Sequence, residues 1–249
     1  MPSPAPIVSV IVPTFREAAN LRLLLPALHR VLSDAALDHE IVVVDDDSRD
    51  GTEALVAEFC ASAAPLPVRL LVRRGERGLA SAVVHGFRAS RGEFLVCMDA
   101  DLSHPPETVP ELVAALRGAD GADFVIGSRY VAGGGTDAEW GVFRAMNSRI
   151  ATMLAWPLTS ARDPMAGFFA LRRERFEQVA GVINPIGYKI GLELLVRTRA
   201  RRCVEIPIQF RDRQHGTSKL SMRQQLLYLR QLLQLMAWKV RQRPASRAS

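Results

Sequence analysis

Long apolar runs are missing from this chain. No stretch approaches the roughly 18 consecutive apolar residues of a membrane-spanning helix, so no such span is expected. The N-terminus has no basic start followed by an apolar run, so no secretory leader is expected either. Cysteine is scarce. Cys60, Cys97 and Cys203 are odd in number and lack metal-ligand spacing, which argues against a disulfide framework and fits a reducing, cytosolic setting. Aromatics make up only 6% of the residues, and no helix-turn-helix, zinc or RNA-binding signature is present, so nucleic acid is not an expected partner. The first strand runs into Pro13-Thr14-Phe15 instead of a Gly-x-Gly-x-x-Gly turn. That disfavours a nicotinamide-dependent oxidoreductase, and a sugar nucleotidyltransferase would want a Gly-rich, basic loop at the same place. Acid is missing from one end. From Arg213 onward there are eight Lys/Arg residues and no Asp or Glu, which points that end toward phosphates or an anionic membrane surface.

What is present is a large apolar fraction, 48%, ample for a buried core. Strand signals at Ile7 to Val12, Ile41 to Val44, Val68 to Val72, Phe94 to Met98 and Asp123 to Ile126 alternate with helical ones at Glu17 to Leu32, Asp50 to Ala61, Gly78 to Ala89 and Glu107 to Leu116. This order predicts an α/β fold: a mostly parallel sheet with helices on both faces. Later elements are less regular. Gly133-Gly134-Gly135 reads as a flexible loop and Arg144 to Ala155 as a helix. Gly167 to Leu171 reads as a strand, Glu174 to Ala180 and Gly191 to Arg199 as helices, and Val204 to Phe210 as a strand. Residues 1–210 are expected to form the main domain, and 211–249 a basic loop followed by a helix over Ser221 to Val240 and a disordered end. Leu226, Leu229, Leu233, Met236 and Val240 share one face of that helix, which Leu232 and Leu235 extend. With Trp238 and flanking Arg and Lys, it reads as a helix lying on an anionic bilayer; packing on the domain or on another subunit is the competing expectation.

Two acidic clusters close strands. Asp99-Ala100-Asp101 places carboxylates at i and i+2, which leave a strand on the same side. Asp45-Asp46-Asp47 closes an earlier strand. At the carboxyl ends of parallel strands both face the crevice where open α/β sheets bind ligands. Paired hard oxygens there suit Mg²⁺ or Mn²⁺ carried on a diphosphate. A receiver-like signalling domain also binds Mg²⁺ on strand-end acids. The strand pattern before Asp45 and the long region after residue 130 argue against it.

Read together, further segments narrow the choice. They are Pro13-Thr14-Phe15-Arg16-Glu17, Asp45 to Thr52, Asp99 to Glu107 and Gly127-Ser128-Arg129-Tyr130. Downstream come Asp163-Pro164-Met165-Ala166-Gly167-Phe168-Phe169, Asn184 to Lys189 and Gly216-Thr217-Ser218-Lys219-Leu220. Over about residues 7 to 220 the chain resembles the inverting family 2 glycosyltransferases of GT-A fold, and within them the dolichol- or polyprenol-phosphate mannose synthase branch.

The resemblance implies roles. Pro13, Phe15 and Glu17 would line a nucleobase pocket, and Val44 and Asp46 would meet base and ribose. Asp45 and Asp47 read better as turn-makers. Asp99, Ala100 and Asp101 would hold the donor's diphosphate through Mg²⁺ or Mn²⁺, with Asp99 and Asp101 as ligands. Some relatives place a Gln on the metal where this chain has Ser103, whose hydroxyl would reach it directly or through water. His104, beside Pro105-Pro106, reads as a turn or supporting residue. Arg129, Arg144 and Ser148 would bind the acceptor phosphate; Arg144 and Ser148 stand at i and i+4 on one helix. Arg213 and Lys219 would meet the donor diphosphate from a closing basic loop.

The implied reaction transfers mannose from GDP-mannose to a dolichyl or polyprenyl phosphate with inversion. The catalytic set would be Asp101, Arg129, Arg213 and Lys219. A UDP-sugar donor or a catalytically silent nucleotide-binding partner are the alternatives. The expected setting is peripheral, on the cytoplasmic face of a membrane, with a separate anchoring subunit as a further partner.

Overall fold

A computed structural model describes residues 6–118, 120–136, 142–211 and 222–242. β1 (Val8–Thr14), β2 (His39–Asp45), β3 (Val68–Val72), β4 (Phe94–Cys97) and β5 (Phe124–Ser128) alternate with α1 (Ala18–Asp34), α2 (Thr52–Ala61), α3 (Leu79–Ala89) and α4 (Val109–Leu116). β6 (Gly135–Thr136), α5 (Val142–Ala155), β7 (Phe169–Arg172), α6 (Arg173–Val179), α7 (Ile190–Arg197), β8 (Cys203–Pro207), β9 (Gln209–Phe210) and α8 (Met222–Arg241) follow. The seven-stranded sheet has the order β3-β2-β1-β4-β7-β5-β8.

Both faces of the sheet are covered, and β1 shows why its sequence is almost continuously apolar. Val8, Val10 and Val12 pack on one side with Leu21, Leu24, Leu25 and Leu28 of α1 and Leu112 of α4. Ile11 packs on the other side with Ala82, Val83 and Phe87 of α3. Gly86 lets α3 come this close. A Cβ there would stand 2.6 Å from Ile11 Cγ2 and 2.9 Å from Val44 Cγ2.

The chain runs from β1 outward through β2 and β3, then crosses back to β4 on the other side of β1. The strand order therefore reverses between β1 and β4, the position where open α/β sheets leave a crevice at their carboxyl edge. Register brings the motifs to that edge. Ile11 lies opposite Cys97 and Thr14 opposite Asp45. Residues 13–17, 45–50 and 99–104 thus leave the sheet side by side.

The strand expected at Gly167 to Leu171 is present as β7, and it runs antiparallel to both β4 and β5. Three other expectations need correction. The single strand expected over Val204 to Phe210 is two, β8 on β5 and β9 on β6. β6 begins at Gly135, the last residue of the segment expected as a flexible loop, and pairs with β9. Third, Leu232 and Leu235 do not extend the exposed apolar face of α8. With Tyr228 they are buried against Ala155, Leu158, Leu192 and Val196, while Leu226, Leu229, Leu233 and Val240 are exposed. Lys239 Nζ ties the far end of α8 to the carbonyls of Pro157 and Leu158 at 2.9 and 3.0 Å. Among the described residues no helix is long and apolar enough to cross a membrane.

Candidate active site at the carboxyl edge of the sheet

A cleft of about 210 Å³ opens at the reversal point, lined by Pro13, Thr14, Phe15, Glu17, Asp46, Leu79, Ala82, Asp99, Ala100 and Asp101. The loops that form it carry left-handed, non-glycine residues: Arg16 (φ 62°), Asp47 (φ 55°), Arg49 (φ 52°) and Leu102 (φ 62°). Such conformations cost about 1–3 kcal/mol each and concentrate where a loop is shaped for a ligand.

The loop after β2 is built by its acids. Asp45 accepts the N–H of Ser48 at 2.8 Å and also its hydroxyl, which makes the turn. Asp50 accepts Thr52 N–H at 3.1 Å on one oxygen and Ala18 N–H at 3.0 Å on the other, so one carboxylate serves the starts of α2 and α1. Burial would raise its pKa, but those hydrogen bonds prevail and hold it below the usual carboxylate value. Asp46 accepts Arg73 Nη2 at 2.6 Å and Gly78 N–H at 2.8 Å, so it pins the loop before α3 against the cleft. Phe15 is covered by two guanidiniums, Arg77 at 4.6 Å and Arg16 at 5.2 Å from the ring centroid. Glu17 stands at the N-cap of α1 and accepts Asn20 Nδ2 at 2.5 Å. Thr14 Oγ1 is buried in the cleft wall with no hydrogen-bond partner among the described residues.

The loop after β4 is held more tightly. Ser103 donates its hydroxyl to Asp101 Oδ1 at 2.5 Å and its N–H to the same oxygen at 3.2 Å, and it is fully buried. Asp101 is almost fully buried, whereas the Asp99 side chain keeps 28% of its exposure. Behind them, Asp99 N–H donates to His104 Nδ1 at 3.0 Å, and the His104 ring stacks on Phe168 at 5.0 Å. Burial lowers the His104 pKa, with Asp99 and Asp101 opposing, and favours the neutral ring that this hydrogen bond needs.

The segment before β7 closes the other side. Asp163 is fully buried and accepts Arg129 Nε and Nη2, both at 2.7 Å, and Arg129 N–H at 3.1 Å. Burial alone would lower the Arg129 pKa; the Asp163 carboxylate outweighs it and raises the value. Asp163 N–H in turn donates to Glu205 Oε1 at 2.9 Å, which fixes the carboxylate on β8. Gly167 lies against Asp99: a Cβ there would be 3.2 Å from Asp99 Oδ2.

Of the residues singled out from the sequence, Pro13, Phe15, Glu17, Asp46, Asp99, Ala100 and Asp101 line one cleft. Val44 does not; it is buried against α3. Ser103 stands behind Asp101, with its hydroxyl on that carboxylate rather than in the cleft lining. Arg129 lies outside the cleft lining, forked on Asp163. Arg144 and Ser148 fall on α5, with side chains outside the described residues, and Arg213 and Lys219 lie outside them altogether. Thr14, Leu79 and Ala82 complete the cleft without having been anticipated. Asp163 was signalled by its motif, but its bond to Arg129 spans 34 positions and only the fold reveals it.

The acidic pair fits a divalent metal. Among the described residues no third His, Cys, Asp or Glu joins it in a metal-holding group. One or two carboxylates with open positions suit Mg²⁺ or Mn²⁺ arriving with a diphosphate rather than a closed protein cage.

The comparisons with known proteins agree with this geometry. The glycosyl transferase family 2 profile matches residues 9–180. The chain is 45% identical to a dolichol-phosphate mannosyltransferase of Mycosarcoma maydis, over 94% of this chain and 80% of that protein. It is 44% identical to the Saccharomyces cerevisiae protein of the same name, over 93% and 87%, and 43% identical to the Pyrococcus furiosus one, over 93% and 64%. The chain thus spans less than two thirds of the Pyrococcus furiosus relative. Among solved structures, a Pyrobaculum calidifontis mannosyltransferase in complex with GDP-Man and Mn²⁺ shares the fold at TM-score 0.65 and 21% identity, covering 98% of this chain and 67% of that one. Glucosyl-3-phosphoglycerate synthase from Mycobacterium tuberculosis, with Mn²⁺, UDP-Glc and phosphoglyceric acid, does so at TM-score 0.66 and 21% identity, covering 97% and 81%. With its GT-A sheet, its acidic pair at the strand-order reversal and these matches over most of its length, the chain belongs to glycosyl transferase family 2.

Proposed function

We propose that this glycosyltransferase moves mannose from GDP-mannose to dolichyl or polyprenyl monophosphate and gives the β-linked lipid phosphomannose. The observation that carries this reading is the 43–45% identity, over 93–94% of the chain, to three dolichol-phosphate mannosyltransferases. The cleft is chemically consistent with it. Pro13, Phe15 and Glu17 receive the base, and Asp46 faces the ribose. Asp99 and Asp101 hold Mg²⁺ or Mn²⁺, and Ser103 orients Asp101. When bound, the ion offsets the charge of the diphosphate leaving group.

A lipid phosphate is already anionic near neutral pH, so no general base has to activate it. One of its oxygens bonds to the anomeric carbon as the bond from that carbon to the β-phosphate oxygen breaks. The electron pair leaves with GDP, and the configuration inverts. The protein's task is to bring two anions together. Arg129, held in its fork by Asp163, acts with Arg144 and Ser148 on the acceptor, and Arg213 and Lys219 act on the donor diphosphate.

The exposed leucines of α8, flanked by Arg230, Lys239 and Arg241, provide a surface for the membrane that holds the acceptor. A soluble donor and a lipid acceptor support a peripheral membrane setting; our reading puts it on the cytoplasmic face, with a separate anchoring subunit as a further partner.

The test is transfer of labelled sugar from GDP-mannose to a polyprenyl phosphate in detergent with Mg²⁺ or Mn²⁺, beside Asp101→Ala. A lipid-linked mannose that disappears in the variant and with chelator is the expected result. Product only from a UDP-sugar would overturn the donor, and product with neither would overturn the acceptor.

A further inference from the structure

Lys189 has no part in the roles assigned above, yet it stands beside them. It occupies the N-cap position of α7. Its carbonyl accepts Gln231 Nε2 of α8 at 3.2 Å and Glu193 N–H of α7 at 3.3 Å, so two helices fix its backbone. Its partly buried side chain ends on Met165 O at 3.1 Å and lies 4.5 Å from the Tyr188 ring centroid. Among the described residues no carboxylate lies within the 4.0 Å ion-pair distance of Nζ.

The surroundings locate the ammonium. Burial, and then the charge of Arg129, push its pKa down to about 8, while Asp163 and Asp99 oppose that fall. It therefore sits within electrostatic reach of both the Arg129–Asp163 pair and Asp99. Met165, which accepts its hydrogen bond, lies two residues from Asp163 and two from Gly167, which abuts Asp99. Lys189 is absent from the lining of the cleft that holds Pro13, Asp46 and Asp101. It lies outside that lining, near Arg129, Asp163 and Asp99.

A cation held partly out of water gains from a close anion. Asp163 is already committed to Arg129 through two short hydrogen bonds, and Asp99 lines the cleft. With no close ion pair among the described residues, the ammonium of Lys189 is available to an anion that comes from outside. An ammonium is a compact point charge with three donors, suited to a phosphate whose angle of approach varies.

We propose that Lys189 is a further acceptor-binding residue, its ammonium meeting the phosphate of the incoming lipid beside Arg129. This rests on the reading under Proposed function. Lys189 moves no proton in the transfer; it donates hydrogen bonds and offsets the repulsion between acceptor phosphate and donor diphosphate.

Steady-state kinetics of wild type, Lys189→Met and Lys189→Arg with GDP-mannose and a polyprenyl phosphate test it, with thermal unfolding of each. A lost hydrogen bond to a charged group corresponds to about a tenfold or greater rise in KM for the lipid phosphate in Lys189→Met. KM for GDP-mannose is expected to stay within about twofold, and Lys189→Arg to recover most of the loss. Removal of a cation that makes no close ion pair among the described residues is expected to leave Tm unchanged or raised, so weaker acceptor binding comes without weaker folding. Should Lys189→Met fail to fold, Lys189→Gln is the neutral variant and is read the same way. Wild-type transfer with an unchanged acceptor KM in the neutral variant overturns this inference alone, as does an equal rise in both KM values. A wild-type protein that transfers nothing overturns the functional reading, and this inference with it.

Discussion

Two hydroxyl and carboxylate placements set the chemistry at the scale of single residues. Ser103 places its N–H and hydroxyl on one oxygen of Asp101 and is itself fully buried. Such a bond to a charged group is worth about 1.5–3 kcal/mol. Ser103→Ala is therefore expected to raise the half-saturating metal concentration for transfer about tenfold while the protein stays folded; a metal titration of activity checks this. Asp163 is the second case. Its neutral replacement, Asp163→Asn, leaves the Arg129 guanidinium buried without its counter-charge. Breaking one side of a buried pair costs about 3–5 kcal/mol, to be read as a lower urea midpoint at unchanged slope. The sequence already flagged both positions, Ser103 by its place after the acidic pair and Asp163 by its motif. It did not reveal their partners: the Asp163 bond closes across 34 residues, a distance that no local pattern encodes.

At the scale of elements, α8 divides its apolar residues between two destinations. Tyr228, Leu232 and Leu235 pack on α5 and α7, and Tyr228 donates its hydroxyl to Ala151 O at 2.6 Å. Leu226, Leu229 and Leu233 stay 65%, 45% and 68% exposed. Helical periodicity read from the sequence joins these sets, because residues three and four apart all count as one broad stripe. Packing separates them. Leu229→Glu with Leu233→Glu is expected to abolish sedimentation with anionic vesicles and leave the circular dichroism spectrum and Tm unchanged. Leu232→Ala, on the inward side, is expected to cost about 2–5 kcal/mol of stability instead. Urea unfolding of the two variants distinguishes the faces.

At the scale of the whole molecule, pH acts through buried groups at the amino edge of the sheet and at its loops. Burial holds the His39 pKa below its ordinary 6.5, with the carbonyl of Leu37 and Asp38 opposing and His29 assisting. Its unfolded form binds a proton more readily, so stability is full above pH 6.5 and declines as pH falls below it. Glu40, Asp50 and Asp123 have pKa values lowered by hydrogen bonds and ion pairs against the cost of burial. Their stabilisation is present above the ordinary carboxylate values near 4 and is lost as pH falls through the lowered ones. Urea unfolding from pH 8 to 3 is expected to show a shallow decline beginning near pH 6.5 and a steeper one below pH 4.

The sequence alone determined the strand and helix alternation of the first half, because apolar periodicity there follows directly from burial on both faces of one sheet. It also determined that two acidic clusters end strands, since each directly follows an apolar run. Only the tertiary structure decided that β4 and β1 are neighbours and that β7 enters antiparallel between β4 and β5. Strand order and direction are set by which long-range pairing buries the most surface and satisfies the most backbone, and no single segment carries that information. The same holds for the site. Asp99 and Asp101 could be read from the chain, and His104 accepts the Asp99 N–H within the same loop, but Phe168 on His104 and Gly167 against the Asp99 carboxylate exist only once the antiparallel strand brings residues 163–169 back beside residues 99–104.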